Sequence, residues 1–300
     1  TREGWKVVTG RFSKNSSSDV LVVSVPQADN LRGKVIFYDR DFNSLLQLHG
    51  NDFAANYGFT LASGDFDGDD VDDLLVGAPL APGALGIPEA GKLYVYYAPL
   101  QKESAASPSV AIITGNTPWA RHASSIANLQ DIDNDGFSDV AVGAPYGGAD
   151  QNGEVYIYNG SPTGLQSTPS QIIQGSEISG STLRGFGYSL HSGHGMDVDN
   201  NGHADLLVGA PESDKALLLR SSPVVRLVGS VRFQTSEFTV GRRDCDLDVP
   251  GRLEKEQVDC LQLIIDVQYK AHHLRKYLNM TFEMLLDEDQ LVPRVLFQVN

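Results

Sequence analysis

One pattern recurs at a fixed interval and restricts the folds open to this chain. Asp131, Asp133, Asp135 and Asp139 occupy positions 1, 3, 5 and 9 of a loop that runs into Val140-Ala141-Val142-Gly143-Ala144-Pro145. Asp65, Asp67, Asp69 and Asp73 run in the same way into Leu74-Leu75-Val76-Gly77-Ala78-Pro79. Asp197, Asp199, Asn201 and Asp205 run into Leu206-Leu207-Val208-Gly209-Ala210-Pro211. The first aspartates stand at 65, 131 and 197, an interval of 66 residues both times. Self-similarity at a fixed period marks a repeat architecture.

Each repeat carries strand signals around its loop. Period-two alternation of β-branched and aromatic residues appears in Val35-Ile36-Phe37-Tyr38, in Leu93-Tyr94-Val95-Tyr96 and in Val155-Tyr156-Ile157-Tyr158. Further strands are expected at residues 45–48, 110–113 and 171–174, and just before each loop at 58–62, 123–127 and 187–190. The counterpart in the last repeat, residues 215–220, is shorter and alternates less. Four short strands per unit, repeated radially, is the grammar of an all-β propeller. Residues 1–50 read as a weaker copy. Asp19 takes the last ligand place, but Arg11 takes the first, and an arginine cannot hold a cation, so this copy is expected to be metal-free. About three and a half units are visible, fewer than a closed propeller needs, so the chain is expected to be a fragment whose missing blades precede Thr1. Pro223 ends the pattern. Strands expected at 224–233, 258–267, 277–286 and from 292 read as the opening part of a β-sandwich, giving a propeller segment over 1–222 and a second domain over 223–300.

The loops suit calcium, which takes six to eight hard oxygen ligands in flexible geometry. Positions 1, 3, 5 and 9 supply side-chain oxygens. Position 7, occupied by Val71, Phe137 and His203, supplies a backbone carbonyl, so its side chain is free to vary. Position 6 needs a sharp turn, which suits Gly136 and Gly202 and which Asp70 tolerates. An EF-hand would need a Glu at position 12 and flanking helices; here position 12 is Val76, Val142 or Val208, within an apolar strand. A single Asp-rich turn reads as a solvated turn. Three at one spacing, each entering the same kind of strand, read as three calcium sites, the third weaker because Asn201 removes one charge. Magnesium dehydrates reluctantly and avoids all-protein cages.

Composition bears on partners. Asp and Glu outnumber Lys and Arg 38 to 23, for a net charge of −15, which argues against nucleic acid. Three divalent cations would bring −15 to −9. No apolar run has the length of a membrane span, and the N-terminus lacks a signal-peptide core, so any leader or anchor is expected outside this chain. The seven histidines form no zinc-ligand spacing, and there is no phosphate loop, dinucleotide fingerprint or nucleophile elbow. No catalytic residue is assigned. Cys245 and Cys260 form either one local disulfide or a pair of free thiols. Sequons stand at Asn15, Asn159 and Asn279, the second followed by Pro162.

At these residues the chain resembles the integrin alpha subunits. The resemblance rests on FG-GAP elements: Tyr57-Gly58-Phe59 before the first loop, Phe186-Gly187-Tyr188 before the third, and three loops ending in Gly-Ala-Pro. The tail adds Pro223-Val224-Val225, the Cys245/Cys260 pair, Leu285-Leu286-Asp287 and Arg294-Val295-Leu296-Phe297, which are similar to the start of a thigh domain. The resemblance implies blades four to seven of a seven-bladed propeller, calcium in the last three, then an Ig-like thigh segment. It also implies the extracellular part of a single-pass type I plasma-membrane protein that is not an enzyme. Such a subunit pairs with an integrin beta subunit and binds extracellular matrix or cell-surface protein. Phe59 and Tyr188 match aromatic positions that cage a basic side chain of the beta subunit, on the face opposite the calcium loops; packing within the hairpin is the plainer reading of both. His122-Ala123 departs from the pattern, so no cage aromatic is assigned in the second repeat. The alternative is an FG-GAP propeller attached to a secreted hydrolase, such as a phospholipase D acting on glycosyl-phosphatidylinositol anchors.

Overall fold

In the computed structural model the chain divides into two compact units, Thr1–Val224 and Val225–Asn300. The structure describes residues 4–14, 19–100, 110–178, 183–192, 196–222, 226–233, 243, 245–247, 256–259 and 263–270.

The first unit is built from antiparallel sheets whose strands pair in chain order. Strands β1 (Val7–Gly10), β2 (Val20–Val25), β3 (Lys34–Tyr38) and β4 (Ser44–His49) form one sheet. Strands β5 (Thr60–Gly64), β6 (Asp73–Ala78), β7 (Lys92–Tyr96) and β8 (Val110–Thr114) form the next. Strands β9 (Ser125–Gln130), β10 (Asp139–Ala144), β11 (Glu154–Tyr158) and β12 (Gln171–Gln174) form a third, and β13 (Ser189–His191), β14 (Leu206–Ala210) and β15 (Lys215–Leu219) a three-stranded fourth. The first strands of successive sheets lie against one another: β1 on β5, β5 on β9, β9 on β13. Each sheet is thus a blade with its first strand innermost, and the unit is a β-propeller segment.

The sequence pattern follows from this stacking. Every residue of β6 and of β10 is buried, because each second strand is covered by a neighbouring blade on both faces. A strand covered on both sides reads as a continuous apolar run rather than an alternation. The last strands β8 and β12 are largely exposed. Apolar side chains fill the gaps between blades: Phe12, Val22, Val35 and Phe37 pack with Tyr57, Leu61, Leu74 and Val76, and Phe66, Leu75 and Val95 with Val140, Val142 and Tyr158.

The glycine of Gly-Ala-Pro has a steric cause. Thr60 Oγ1 donates to the carbonyl of Ala123 at 3.0 Å, and Ser125 Oγ to that of Gly187 at 2.7 Å. These bonds tie the start of one inner strand to the turn of the next blade. They pass directly over Gly77 and Gly143, where a Cβ would overlap both the hydroxyl and the carbonyl.

In the second unit, β16 (Arg226–Phe233) and a short strand β17 (Cys245–Leu247) are followed by β18 (Glu256–Val258) and β19 (Leu263–Lys270). Strand β16 pairs with β19, and β17 with β18, both antiparallel. The single strand expected over 258–267 is two strands, with β18 ending at Val258 and β19 starting at Leu263. The strands expected at 277–286 and from 292, together with Cys260, Asn15 and Asn279, lie outside the described residues. Among the described residues no helix is long and apolar enough to cross a membrane.

Candidate metal centres and an aromatic face

Each aspartate loop joins the inner strand of a blade to its second strand, and three side chains in each converge. Carboxylate oxygens of Asp65, Asp67 and Asp73 lie within 4.8 Å of one another, as do those of Asp131, Asp133 and Asp139, and of Asp197, Asp199 and Asp205. A cation with ligands at about 2.3–2.6 Å spans such a gap. The donor set is hard oxygen only, so the residues fit a hard divalent cation.

Backbone N–H groups hold the carboxylates in place. Position 1 accepts from the loop itself: Asp131 Oδ1 from Asp135 N at 2.9 Å and Oδ2 from Gly136 N at 2.8 Å. Asp197 does the same with Asn201 N and Gly202 N, and these bonds hold its carboxyl below the usual range. Asp65 accepts from Gly68, Asp69 and Asp70. Position 9 is fully buried in all three loops. One oxygen of that residue accepts from position 2 (Phe66 N, Ile132 N, Val198 N), and the other from the residue two beyond the third strand (Ala98 N, Gly160 N, Ser221 N). Burial pushes the carboxyls of Asp73 and Asp139 up to about 7 against the pull of these N–H groups. Burial, then the neighbouring Asp69 and Asp65, also raises Asp67.

Position 5 stands apart from the convergent trio. Asp69, Asp135 and Asn201 each turn Oδ1 to the N–H of position 7, at 2.9, 3.0 and 2.9 Å. Those bonds fix Val71, Phe137 and His203, the residues expected to contribute carbonyls. Position 6 is left-handed throughout, with φ of 64° at Asp70, 100° at Gly136 and 85° at Gly202. Position 4 is left-handed as well, at Gly68, Asn134 and Asn200, which the sequence reading did not single out. Its signal was the Gly or Asn found there each time.

The weaker first copy is built differently. Asp19 is exposed, unlike its buried counterparts. Arg11 donates through Nη2 to the carbonyl of Asp70 at 2.8 Å, and Lys14 lies 3.5 Å from Asp69 Oδ2. Its basic side chains face the first acidic loop. Adjacent loops are also joined through backbone: Asp72 N donates to Arg11 O at 2.9 Å, and Ser138 N to Asp65 O at 3.1 Å. In both cases position 8 of one loop bonds position 1 of the loop before it.

Phe59 and Tyr188 start at the other end of the inner strands, since Phe59 precedes β5 and Asp65 follows it. They line one pocket of about 300 Å³, with Trp5, Ser124, Ile126 and Leu190 among its walls. Phe59 is half-buried and Tyr188 is exposed. Trp5 was missed from sequence. Its ring lies 5.5 Å from that of Phe59, and its Nε1 donates to the Phe59 carbonyl at 3.0 Å. The signal was Gly4-Trp5 before β1, matching Gly58-Phe59 before β5; Gly4, Gly58 and Gly187 have φ of 86°, 87° and 87°. In the second repeat Ala123 takes the glycine's place at φ 65°. His122 takes the place of Tyr57 and Phe186 and is buried like them. Its Nε2 lies 2.9 Å from Tyr158 Oη, and burial lowers its pKa to about 4.

Asn159, an expected glycosylation site, turns its amide inward. Nδ2 donates to Asp133 Oδ2 at 3.1 Å, and Oδ1 is buried with no hydrogen-bond partner among the described residues. Cys245 lies in β17.

The FG-GAP repeat family matches residues 57–96 and 122–158. Integrin alpha-5 of Xenopus laevis is 35% identical over 301 residues, covering 98% of this chain and 28% of that protein. Integrin alpha-V of Gallus gallus is 37% identical over 291 residues (95% and 27%), and integrin alpha-PS2 of Drosophila melanogaster 32% over 302 (98% and 21%). The chain thus spans about a quarter of the length of these relatives. With a propeller of FG-GAP blades and similarity along almost its entire length, the chain belongs, as a segment, to the integrin alpha family.

Proposed function

We propose that this chain is the later part of the extracellular propeller, about blades four to seven, and the beginning of the thigh domain of a cell-adhesion receptor alpha subunit. That subunit pairs with an integrin beta subunit and, with it, binds extracellular matrix or cell-surface protein in a divalent-cation-dependent way. It is not an enzyme, and its membrane span belongs to sequence outside this chain.

The observation that carries the reading is the division of labour along the inner strands. Acidic clusters stand at one end and the Trp5–Phe59–Tyr188 pocket at the other. Aromatic faces attract a Lys or Arg side chain placed over them, so the pocket end presents the cage for a basic residue of the beta subunit. At the loop end, positions 1, 3, 5 and 9 and the position 7 carbonyl of each loop hold one calcium ion. The ion supplies positive charge to crowded carboxylates, and the loop residues orient the hairpin around it. Calcium therefore stiffens the blades rather than contacting the ligand.

The test is binding of an integrin beta ectodomain to this chain, measured by surface plasmon resonance. Tyr188→Ala and Trp5→Ala each weaken binding about tenfold, and Tyr188→Ala, at an exposed position, does so while leaving the melting temperature unchanged. Unaltered affinity in both variants would overturn the assignment of this face.

A further inference from the structure

The three acidic loops are alike in their backbone bonds but differ in one residue that lies outside them. The third strand of each blade ends at an equivalent point, opposite the start of the second: Leu74 pairs with Tyr96, Val140 with Tyr158, and Leu206 with Leu219. The next residue is Tyr97, Asn159 or Arg220. The residue after that donates its N–H to the position 9 aspartate in every blade, at 2.9, 3.0 and 2.9 Å, so the equivalence is structural as well as numerical.

These three side chains meet the cation site in different chemical states. The Tyr97 hydroxyl accepts a hydrogen bond from Leu165 N of the next blade at 3.0 Å and brings no charge. Asn159 donates a neutral amide N–H to the position 3 carboxylate, Asp133. Arg220 brings a guanidinium to within 3.9 Å of the position 3 carboxylate of its own loop, Asp199. That same loop carries Asn201 in place of an aspartate, and Asn201 Nδ2 is tied to the Ser221 carbonyl at 2.6 Å. The third loop therefore has one acid fewer than the second and a built-in positive charge facing a convergent carboxylate.

Resting on the reading of these loops as cation sites, we propose that the residue following the third strand of each blade sets the cation affinity of that blade. Arg220 is then a resident counter-ion that lowers the affinity of the loop at Asp197. A guanidinium beside a ligating carboxylate competes with an incoming cation for the same oxygens and repels its charge. A neutral amide engages one of those oxygens more weakly and brings no charge to repel the cation. The second loop fills before the third, which fills only at higher cation concentration and holds its shape through Arg220 when empty. Arg220 and Asp199 are both partly exposed, so the effect is that of a surface pair, about twofold to fivefold in affinity.

A reciprocal exchange tests this. Amide hydrogen exchange of the full chain, followed by mass spectrometry during a calcium titration, reads residues 131–139 and 197–205 separately. The wild type is expected to reach half-protection at 131–139 at a lower calcium concentration than at 197–205. Arg220→Asn should shift the midpoint at 197–205 downward about twofold to fivefold and leave 131–139 unmoved. Asn159→Arg should shift only 131–139, upward. Unmoved midpoints in Arg220→Asn would overturn the proposal while leaving the calcium sites intact. Calcium without effect on any loop would overturn the sites themselves. Arg220 is exposed, so Arg220→Asn decides the matter even if Asn159→Arg does not fold.

Discussion

Asn159 Nδ2 donates to Asp133 Oδ2 at 3.1 Å, which commits the amide nitrogen that a glycan would occupy. Its oxygen is buried too, and Pro162 follows the sequon. Glycopeptide mass spectrometry of the chain secreted from animal cells is expected to find Asn159 unmodified. Substantial occupancy there would show that this inward orientation is not the one adopted.

Removing the cation should loosen the propeller. Binding to the native state stabilises it by about 2.7 kcal/mol per site at a hundredfold excess over Kd. Melting with calcium and with EDTA is expected to differ by several degrees, and Asp133→Ala should reduce bound calcium by one ion per chain. Identical melting curves would remove the metal assignment.

Proton competition gives that stabilisation a pH dependence. With Asp73 and Asp139 raised to about 7, the cation-free fold favours their neutral forms. Their burial therefore costs least at low pH, and the cost grows as pH rises from about 4 through 7. A bound cation needs the carboxylates. The gain in melting temperature from calcium is thus expected to shrink as pH falls from 7.5 to 5. A gain that stays constant over this range would contradict the protonation of these two residues.

His122 acts in the opposite sense. Its folded pKa lies near 4, below the ordinary value of about 6.5, so it is neutral in the core. Its contribution to stability is present above about 6.5 and lost as pH falls toward 4. His122→Phe, the residue type found at Phe186, is expected to flatten this part of the stability profile of the calcium-loaded protein. At neutral pH the change should be about 1 kcal/mol or less, because the lost partner of Tyr158 Oη offsets the gain in apolar packing. An unchanged acid limb in urea titrations would exclude His122 as its source.

The fold could be read from sequence where period and chemistry coincided. Asp65, Asp131 and Asp197 announce themselves by interval, and the all-buried β6 and β10 by their unbroken apolar runs. What could not be read depended on geometry between blades. Trp5 belongs with Phe59 and Tyr188 only because the inner strands converge, and its own repeat lacks the acidic loop that marked the others. Asn159 read only as a sequon followed by Pro162, because nothing local shows that the end of β11 returns to the loop at Asp131. Arg220 carried no signal until the registers of the three blades were aligned.

The bonds from Asp72 N to Arg11 O and from Ser138 N to Asp65 O join successive loops through main chain alone. No side-chain substitution short of proline can delete such a link. A blade can therefore exchange acidic ligands for other residues, as the loop at Arg11 has done at its first place, and still keep its place beside its neighbour. Chemistry in each loop is thereby free to diverge, while the angular step from blade to blade is inherited from the backbone.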